Sequence, residues 1–255
     1  MNGKVLIITG STGIAAASAR LAASRGARVV IATADEDSGW DLGRELGLEP
    51  WVGNLTRPGA GRSVVEHAMA QHRRIDGVFN ASGLSGRRHG DGPVHQISDD
   101  GWEMALAHNV SAAFSMCRAV IERLLLQEAD DRGVRGSIVN LGSVLADSPE
   151  PSHFAAHAYA AAKGAVAAMT RSMASYYAPH GIRVNLLAPG FVRTRASERG
   201  VTPELLAFLE KKQPLTGGMV DAEDVARAAL FLLSDEARSI TGEAIAVDGG
   251  WSVAG

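Results

Sequence analysis

Val5-Leu6-Ile7-Ile8-Thr9-Gly10-Ser11-Thr12-Gly13-Ile14-Ala15-Ala16 is the stretch whose reading decides the fold. An apolar run of strand length stops at a glycine, and a second glycine opens a run of small residues suited to a helix. Strand, tight turn and helix is the order in which a chain builds a phosphate loop. Glycine lets the backbone turn sharply and approach a pyrophosphate, whose charge is stabilised by free N–H groups and the positive end of the helix dipole. Gly10, Ser11, Thr12, Gly13 and Ile14 are therefore the first candidate cofactor contacts, with an ordinary strand-to-helix turn as the plain alternative.

The same alternation continues outward. Strand candidates at residues 28–32, 77–80, 137–141, 183–188 and 244–247 are mostly apolar on both faces, as a covered parallel sheet requires. Helical stretches at 15–25, 40–46, 63–72, 100–128, 159–177 and 222–233 fill the gaps. No linker, repeat or low-complexity tract interrupts them. The expectation is one α/β domain over residues 1–255, a doubly wound parallel sheet with helices on both faces. Two stretches, 82–98 and 190–218, are rich in Gly, Pro and charge, resist assignment to an element and follow strands. Ligands bind beyond the carboxyl ends of such strands, so both read as functional loops.

With 46% hydrophobic and 21% charged residues, the 255-residue chain can bury a large core. A formal net charge of -3, with acids and bases mixed, offers no field for a polyanion and argues against a nucleic acid partner. Cys117, the only cysteine, excludes an intrachain disulfide and a thiolate metal cage and fits a reducing compartment. The apolar run after Met1 is too short for a signal-peptide core, and no apolar stretch approaches the roughly 18 residues of a bilayer span. A cytoplasmic protein with no membrane partner is expected.

Cofactor type is read at the end of the second strand, where an acid accepts ribose hydroxyls and a base pairs with a 2′-phosphate. Thr33 stands there, followed by Asp35, Glu36 and Asp37, with no Lys or Arg between Arg28 and Arg44. The acids repel a phosphate dianion and favour NAD over NADP. Asn54, with Leu55 beside it, is placed to bound an adenine pocket, although an Asn-initiated turn explains it nearly as well.

Tyr159 and Lys163 lie four apart, on one helix face. A phenol is a poor acid/base at neutral pH, and lowering its pKa by about 3 units takes roughly 4 kcal/mol of preferential phenolate stabilisation. A nearby Lys and an oxidised nicotinamide, both positive, supply that. Ser143 precedes Tyr159 by sixteen positions, in the loop after a strand, where its hydroxyl can hold a substrate oxygen or bond to its own backbone.

Elsewhere, His153 and His157 lack a third ligand, so metal binding is not expected. Arg87, Arg88 and His89 form a basic cluster that meets a polar or anionic substrate or is simply solvated. Cys117 reads as a small buried hydrophobe, and Trp102 and Met104 as core or interface.

Jointly these residues resemble the short, single-domain branch of the short-chain dehydrogenase/reductase family over nearly the whole chain. The glycine loop is followed in the family's order by Asn80-Ala81-Ser82-Gly83, Asn109, Asn140-Leu141-Gly142-Ser143, the Tyr159/Lys163 pair, Arg183-Val184-Asn185, Pro189-Gly190-Phe191-Val192-Arg193-Thr194 and Val247-Asp248-Gly249-Gly250. The resemblance implies a Rossmann-type sheet of about seven strands, a homotetramer and a substrate lid over the second loop. It implies that Tyr159 exchanges a proton with the substrate, Ser143 orients the substrate oxygen, Lys163 binds the nicotinamide ribose and lowers the tyrosine pKa, and Asn109 holds a relay water. Asn80, Ala81 and Ser82, with Pro189, Gly190, Val192 and Thr194, are implied cofactor contacts. The implied activity is hydride transfer between NAD(P) and a small, polar secondary alcohol or ketone.

The chain departs from the family pattern in places. Two residues instead of three separate Gly10 and Gly13, and Ala15 or Ala16 replaces the third glycine. Ala81 replaces a second Asn, and the interval from Ser143 to Tyr159 is a few residues longer than usual. The tightened loop motivates an alternative, a dinucleotide-binding sensor or scaffold without turnover. Nucleotide-sugar epimerisation, suggested by the loop spacing alone, lacks the separate substrate domain it usually needs.

Overall fold

All five residues of β1 (Val5–Thr9) are buried, and their side chains alternate between two cores: Leu6 and Ile8 enter one, Ile7 the other. The computed structural model describes residues 1–254. After β1 come α1 (Gly13–Ser24), β2 (Arg28–Thr33), α2 (Glu36–Leu46), β3 (Trp51–Val52), α3 (Ala60–His72) and β4 (Gly77–Asn80). The middle of the chain forms α4 (Asp99–Leu106), α5 (Ala112–Leu125), β5 (Gly136–Leu141), α6 (His157–Tyr177) and β6 (Ile182–Pro189). The last part forms β7 (Val192–Arg193), α7 (Arg195–Glu198), α8 (Pro203–Lys212), β8 (Val220–Asp221), α9 (Ala222–Leu233) and β9 (Ala244–Val247).

Seven parallel strands form one sheet in the order β3-β2-β1-β4-β5-β6-β9, the doubly wound Rossmann-type arrangement. On one face α1 and α9 pack Ala15, Ala19, Val225 and Leu230 against Leu6, Ile8, Phe79 and Val139. On the other, Val64 of α3 and Met116, Val120 and Leu124 of α5 cover Ile7, Val78 and Ile138. Because β2 and β4 flank β1 and the chain winds away from it in both directions, a crevice opens beyond its carboxyl end. The glycine loop sits there.

Sequence and structure differ at the ends of elements. α2 starts earlier than its apolar pattern because the Asp35 carboxylate accepts the Ser38 N–H at 3.0 Å and caps it. The long middle helix is α4, a π turn at Ala107–Ser111 and α5 in series. As one continuous helix, Asp99–Leu125 is long and apolar enough to cross a membrane by length and composition, contrary to the sequence expectation. Here its apolar side covers the sheet. Residues 190–218, expected to be irregular, contain α7 and α8, started by a Thr194/Ser197 capping box and by Thr202 before Pro203. Residues 82–98 hold only two short 3-10 turns, Arg87–His89 and Val94–Gln96.

Candidate active site

Two cavities meet at the carboxyl ends of the strands. The first, about 690 Å³, is lined by Gly10 through Ala15, by Thr33, Asp35 and Ser38 at the end of β2, and by Asn54, Leu55, Ala81, Ser82 and Leu141. Gly10 and Gly13 hold φ values of 97° and 52°, the left-handed region that glycine enters without strain. A Cβ on Gly10 would lie 3.0 Å from the Cβ of Ala15, so the alanine that stands in this part of the loop leaves room for glycine alone at position 10. Thr12 makes no side-chain cap; its carbonyl accepts the Ala15 and Ala16 N–H groups, and the N–H groups of Gly13 and Ile14, both of which line the cleft, have no partner among the described residues. Ser11 Oγ lies 2.8 Å from Thr33 Oγ1 and 2.7 Å from Ser38 Oγ, tying the loop to β2 and α2. Asn54 Oδ1 accepts from the Thr56 N–H and hydroxyl, the turn its sequence allowed, while still lining the cleft. The arrangement fits a dinucleotide: glycines where the backbone must approach phosphate, unpartnered N–H groups, and polar groups at the ribose end.

The second cavity, about 780 Å³, shares Gly83, Thr194, Ala196 and Arg199 with the first. Ser143, just beyond β5, and Tyr159, in the first turn of α6, both line it. Burial pushes the Tyr159 phenol above its ordinary pKa, and a hydrogen bond with Ser143 pulls it partly back. Lys163 is 2% exposed; its Nζ donates to the Leu141 carbonyl at 2.7 Å and lies 5.5 Å from the centre of the Tyr159 ring. Desolvation pushes the lysine down to about 8. The depression of the phenol by Lys163 expected from sequence is thus not what burial produces on its own: here desolvation dominates both groups.

Asn109 occupies the π turn, a geometry that recurs at functional sites. Its Nδ2 donates to the Leu84 and Ala105 carbonyls at 2.9 Å, and its buried Oδ1 has no partner. A Cβ on Gly83 would lie 2.5 Å from that oxygen and 3.4 Å from Lys163 Nζ, so the three residues crowd one spot and only glycine fits there.

Three expected cofactor contacts, Lys163, Asn80 and Pro189, line neither cavity, and the Lys163 ammonium is held by the Leu141 carbonyl. Asn80 donates to Asn140 Oδ1 at 2.8 Å and to Cys117 Sγ at 3.3 Å inside the core, so its side chain does not line the cleft. Pro189 is buried as the last residue of β6 and lines neither cavity. Gly190 and Val192 line the second cavity only, while Thr194 lines both. Cys117 is buried and its thiol is pushed up to about 12. His157 Nδ1 accepts the Val94 N–H and the His153 ring packs 4.7 Å from that of Phe208, so each histidine has a structural contact. Among the described residues no cluster of three or more His, Cys, Asp or Glu could hold a metal ion.

Sequence reasoning missed several wall residues. Gln213, fully buried, accepts the Phe191 N–H at 2.6 Å and donates to the Phe191 and Gly218 carbonyls, fixing the base of the 190–218 segment. Phe154, Phe191, Phe208 and Trp251 form an aromatic cluster behind the second cavity, with ring centres 5.5–6.4 Å apart between neighbours.

A family model described as enoyl-(acyl carrier protein) reductase matches residues 8–252. Momilactone A synthase of Oryza sativa subsp. japonica is 36% identical over 262 residues, covering 98% of this chain and 90% of that protein. The 3beta-hydroxysteroid dehydrogenase 1 of Eggerthella lenta is 34% identical over 266 residues, covering 99% and 95%. A structure of a short-chain type dehydrogenase/reductase from Mycobacterium ulcerans, 27% identical, superposes with a TM-score of 0.89 and covers 100% of this chain and 91% of that one. Fold, motif order and relatives agree: the chain is an enzyme of the short-chain dehydrogenase/reductase family, the NAD(P)-dependent oxidoreductases.

Proposed function

We propose that the chain interconverts a secondary alcohol and a ketone, with Tyr159 as acid/base residue. The observation that carries this reading is the Ser143/Tyr159 pair lining a cavity that opens onto the glycine-loop cleft. NAD(P), when bound, supplies or accepts the hydride. In the reductive direction Tyr159 Oη gives its proton to the carbonyl oxygen as the carbon receives hydride; in oxidation the phenolate takes the hydroxyl proton. Ser143 donates a hydrogen bond to the same oxygen and fixes its position. The Lys163 ammonium, 5.5 Å from the centre of the Tyr159 ring, favours the phenolate and would hold the ribose of a bound dinucleotide, and the unpartnered Asn109 Oδ1 would accept from a water that passes protons to Lys163. NAD is the favoured cofactor, because Thr33, Asp35 and Ser38 line the cavity at the end of β2, while its two arginines, Arg195 and Arg199, come from the 190–218 segment.

The cavity supports a bulkier, more apolar substrate than the small polar alcohol suggested by the sequence. Val144, Leu145, Phe154, Phe191 and Trp251 line it, and its volume far exceeds what a short alcohol fills. The relative named for a hydroxysteroid is consistent with that size. A cytoplasmic homo-oligomer completes the reading, with the exposed Phe114 and Tyr176 offering apolar surface for self-association.

The test is a titration of purified protein with NAD and NADP, followed by turnover of bulky alcohols and ketones read from nicotinamide absorbance. Tyr159→Phe is expected to lower turnover at least about 100-fold. Undiminished turnover in that variant refutes the assigned role, and failure to bind either dinucleotide refutes the reading as a whole.

A further inference from the structure

The wall of the catalytic cavity carries two chemistries. Its inner part is aliphatic and aromatic, whereas its lip carries Arg87, Arg88 and His89 on the β4–α4 loop, with Arg199 after α7. No Asp or Glu is among the lining residues. Elsewhere Arg20, Arg44, Arg62, Arg74, Arg193 and Arg227 each face a carboxylate within 4.0 Å, while other arginines, such as Arg25 and Arg57, make no ion pair among the described residues, like those of the lip. The acids nearest the lip are engaged: Glu198 faces Arg193 at 3.8 Å, and Asp91 accepts backbone N–H groups. A chain with a net charge of -3 therefore leaves cations unpaired around its own reacting groups.

The backbone of the loop that carries Arg87 and Arg88 is anchored. The two Asp91 carboxylate oxygens accept the Ala158 and Tyr159 N–H groups, each at 3.0 Å. The His157 N–H donates to the Gly92 carbonyl at 3.1 Å, and the Val94 N–H donates to His157 Nδ1 at 3.0 Å. The backbone of the loop that carries Arg87 and Arg88 is thus fastened to the first turn of the helix that carries Tyr159, and both arginines line the cavity that Tyr159 lines.

We infer that the substrate is amphipathic: an apolar body bearing the ketone or carbinol, ending in an anionic carboxylate or phosphate bound by Arg87 and Arg88. This rests on the hydride-transfer reading and adds the charge and polarity of the substrate. The guanidinium fork suits either anion, and the apolar inner wall takes the body.

The experiment compares dehydrocholate with its methyl ester, and estrone phosphate with estrone. Each pair presents a bulky apolar ketone with and without the distal charge. Binding to the holoenzyme is read by calorimetry and turnover by nicotinamide absorbance. At low salt the charged member of at least one pair is expected to bind about tenfold tighter, as two or three partly exposed ion pairs can provide, with the gap narrowing as salt screens them. The pair showing the larger gap distinguishes a carboxylate from a phosphate. In Arg87→Gln/Arg88→Gln the charged-to-neutral ratio should collapse towards one. Equal affinity within both pairs, no binding by any of the four, or a ratio unmoved in the double variant overturns the inference. Charge-selective binding without turnover of any ketone would instead sink the hydride-transfer reading and leave anion recognition standing.

Discussion

The two halves of the cleft are built from different materials. On the dinucleotide side the wall is mostly backbone: two glycines with positive φ, the first turn of α1 and the ends of β1, β2 and β4, tied by the Ser11, Thr33 and Ser38 hydroxyls. On the substrate side the wall is mostly side chains from two loops, held by contacts between residues far apart in the chain. Gln213 holds Phe191 across 22 residues, Asp91 holds Ala158 across 67, and the Trp251 Nε1–H donates to the Ser148 carbonyl across 103. A backbone wall is specified by a few residue types at fixed spacing, and so it is shared widely. A side-chain wall is specified by pairings that only this chain needs, and so it carries specificity.

Lys163 lies where the halves meet, and removing it gives the largest expected effect. Lys163→Met should lower turnover by about 100-fold or more while leaving the protein folded. Its stability should behave differently. Desolvation lowers the ammonium from 10.5 to about 8, which corresponds to about 3 kcal/mol of penalty on the charged form. Between those values the unfolded chain binds the proton more than the folded one, so stability rises with pH from about 8 towards 10.5 and the penalty is fully present below about 8. Lys163→Met should abolish that rise, partly offset at all pH values by the Leu141 carbonyl losing its donor. Thermal melts of both proteins across this range check it. A wild-type stability that falls over the same window, with other titrations matched in the variant, breaks the account.

Gly13→Ala tests the backbone wall through Thr194, a side chain that lines both cavities. A Cβ there would lie 2.9 Å from Thr194 Cγ2 and would have to accept a φ of 52°. Left-handed backbone costs a non-glycine residue about 1–2 kcal/mol. The change should weaken dinucleotide binding about thirtyfold, the equivalent of about 2 kcal/mol, by moving the loop from its phosphate-binding position. Affinity for a ketone on the other side should change far less, and a loss shared equally by both ligands would show that the halves are not separable.

Legibility follows the same division. The sheet and the glycine turn between β1 and α1 are legible because strand period and glycine placement are local signals, and helix period alone puts Tyr159 and Lys163 on one face of α6. Asn109 was readable only through resemblance, since nothing in its neighbours announces a π turn. Asn80 misled for a physical reason: it follows the family's order, yet strand alternation turns its side chain into the core beside Asn140. Asp91, Gln213 and Trp251 carry no local mark, because an acid before a Gly-Pro pair or a glutamine before a proline is ordinary until the fold brings a partner to it. The apolar wall on which the bulkier substrate is proposed carries no local mark either, being assembled from Val144, Phe154, Phe191 and Trp251, scattered over a hundred positions.

The smallest effect is expected at Asp91, and it discriminates most finely between the halves. Its carboxylate caps the first turn of α6, where removing a capping acceptor typically costs about 1 kcal/mol. If that energy is expressed as misplacement of Tyr159, Asp91→Ala lowers kcat about fivefold, the equivalent of that energy. Dinucleotide affinity should stay unchanged, because no residue of the glycine-loop cleft touches the cap. Asp91→Asn keeps one acceptor oxygen and should recover most of kcat, whereas a purely structural role would lower the melting temperature of both variants and leave kcat alone. A shift in dinucleotide affinity with kcat intact would mean that the cap serves the backbone wall. In that case the substrate loop and the catalytic helix would not form the single unit that their hydrogen bonds describe.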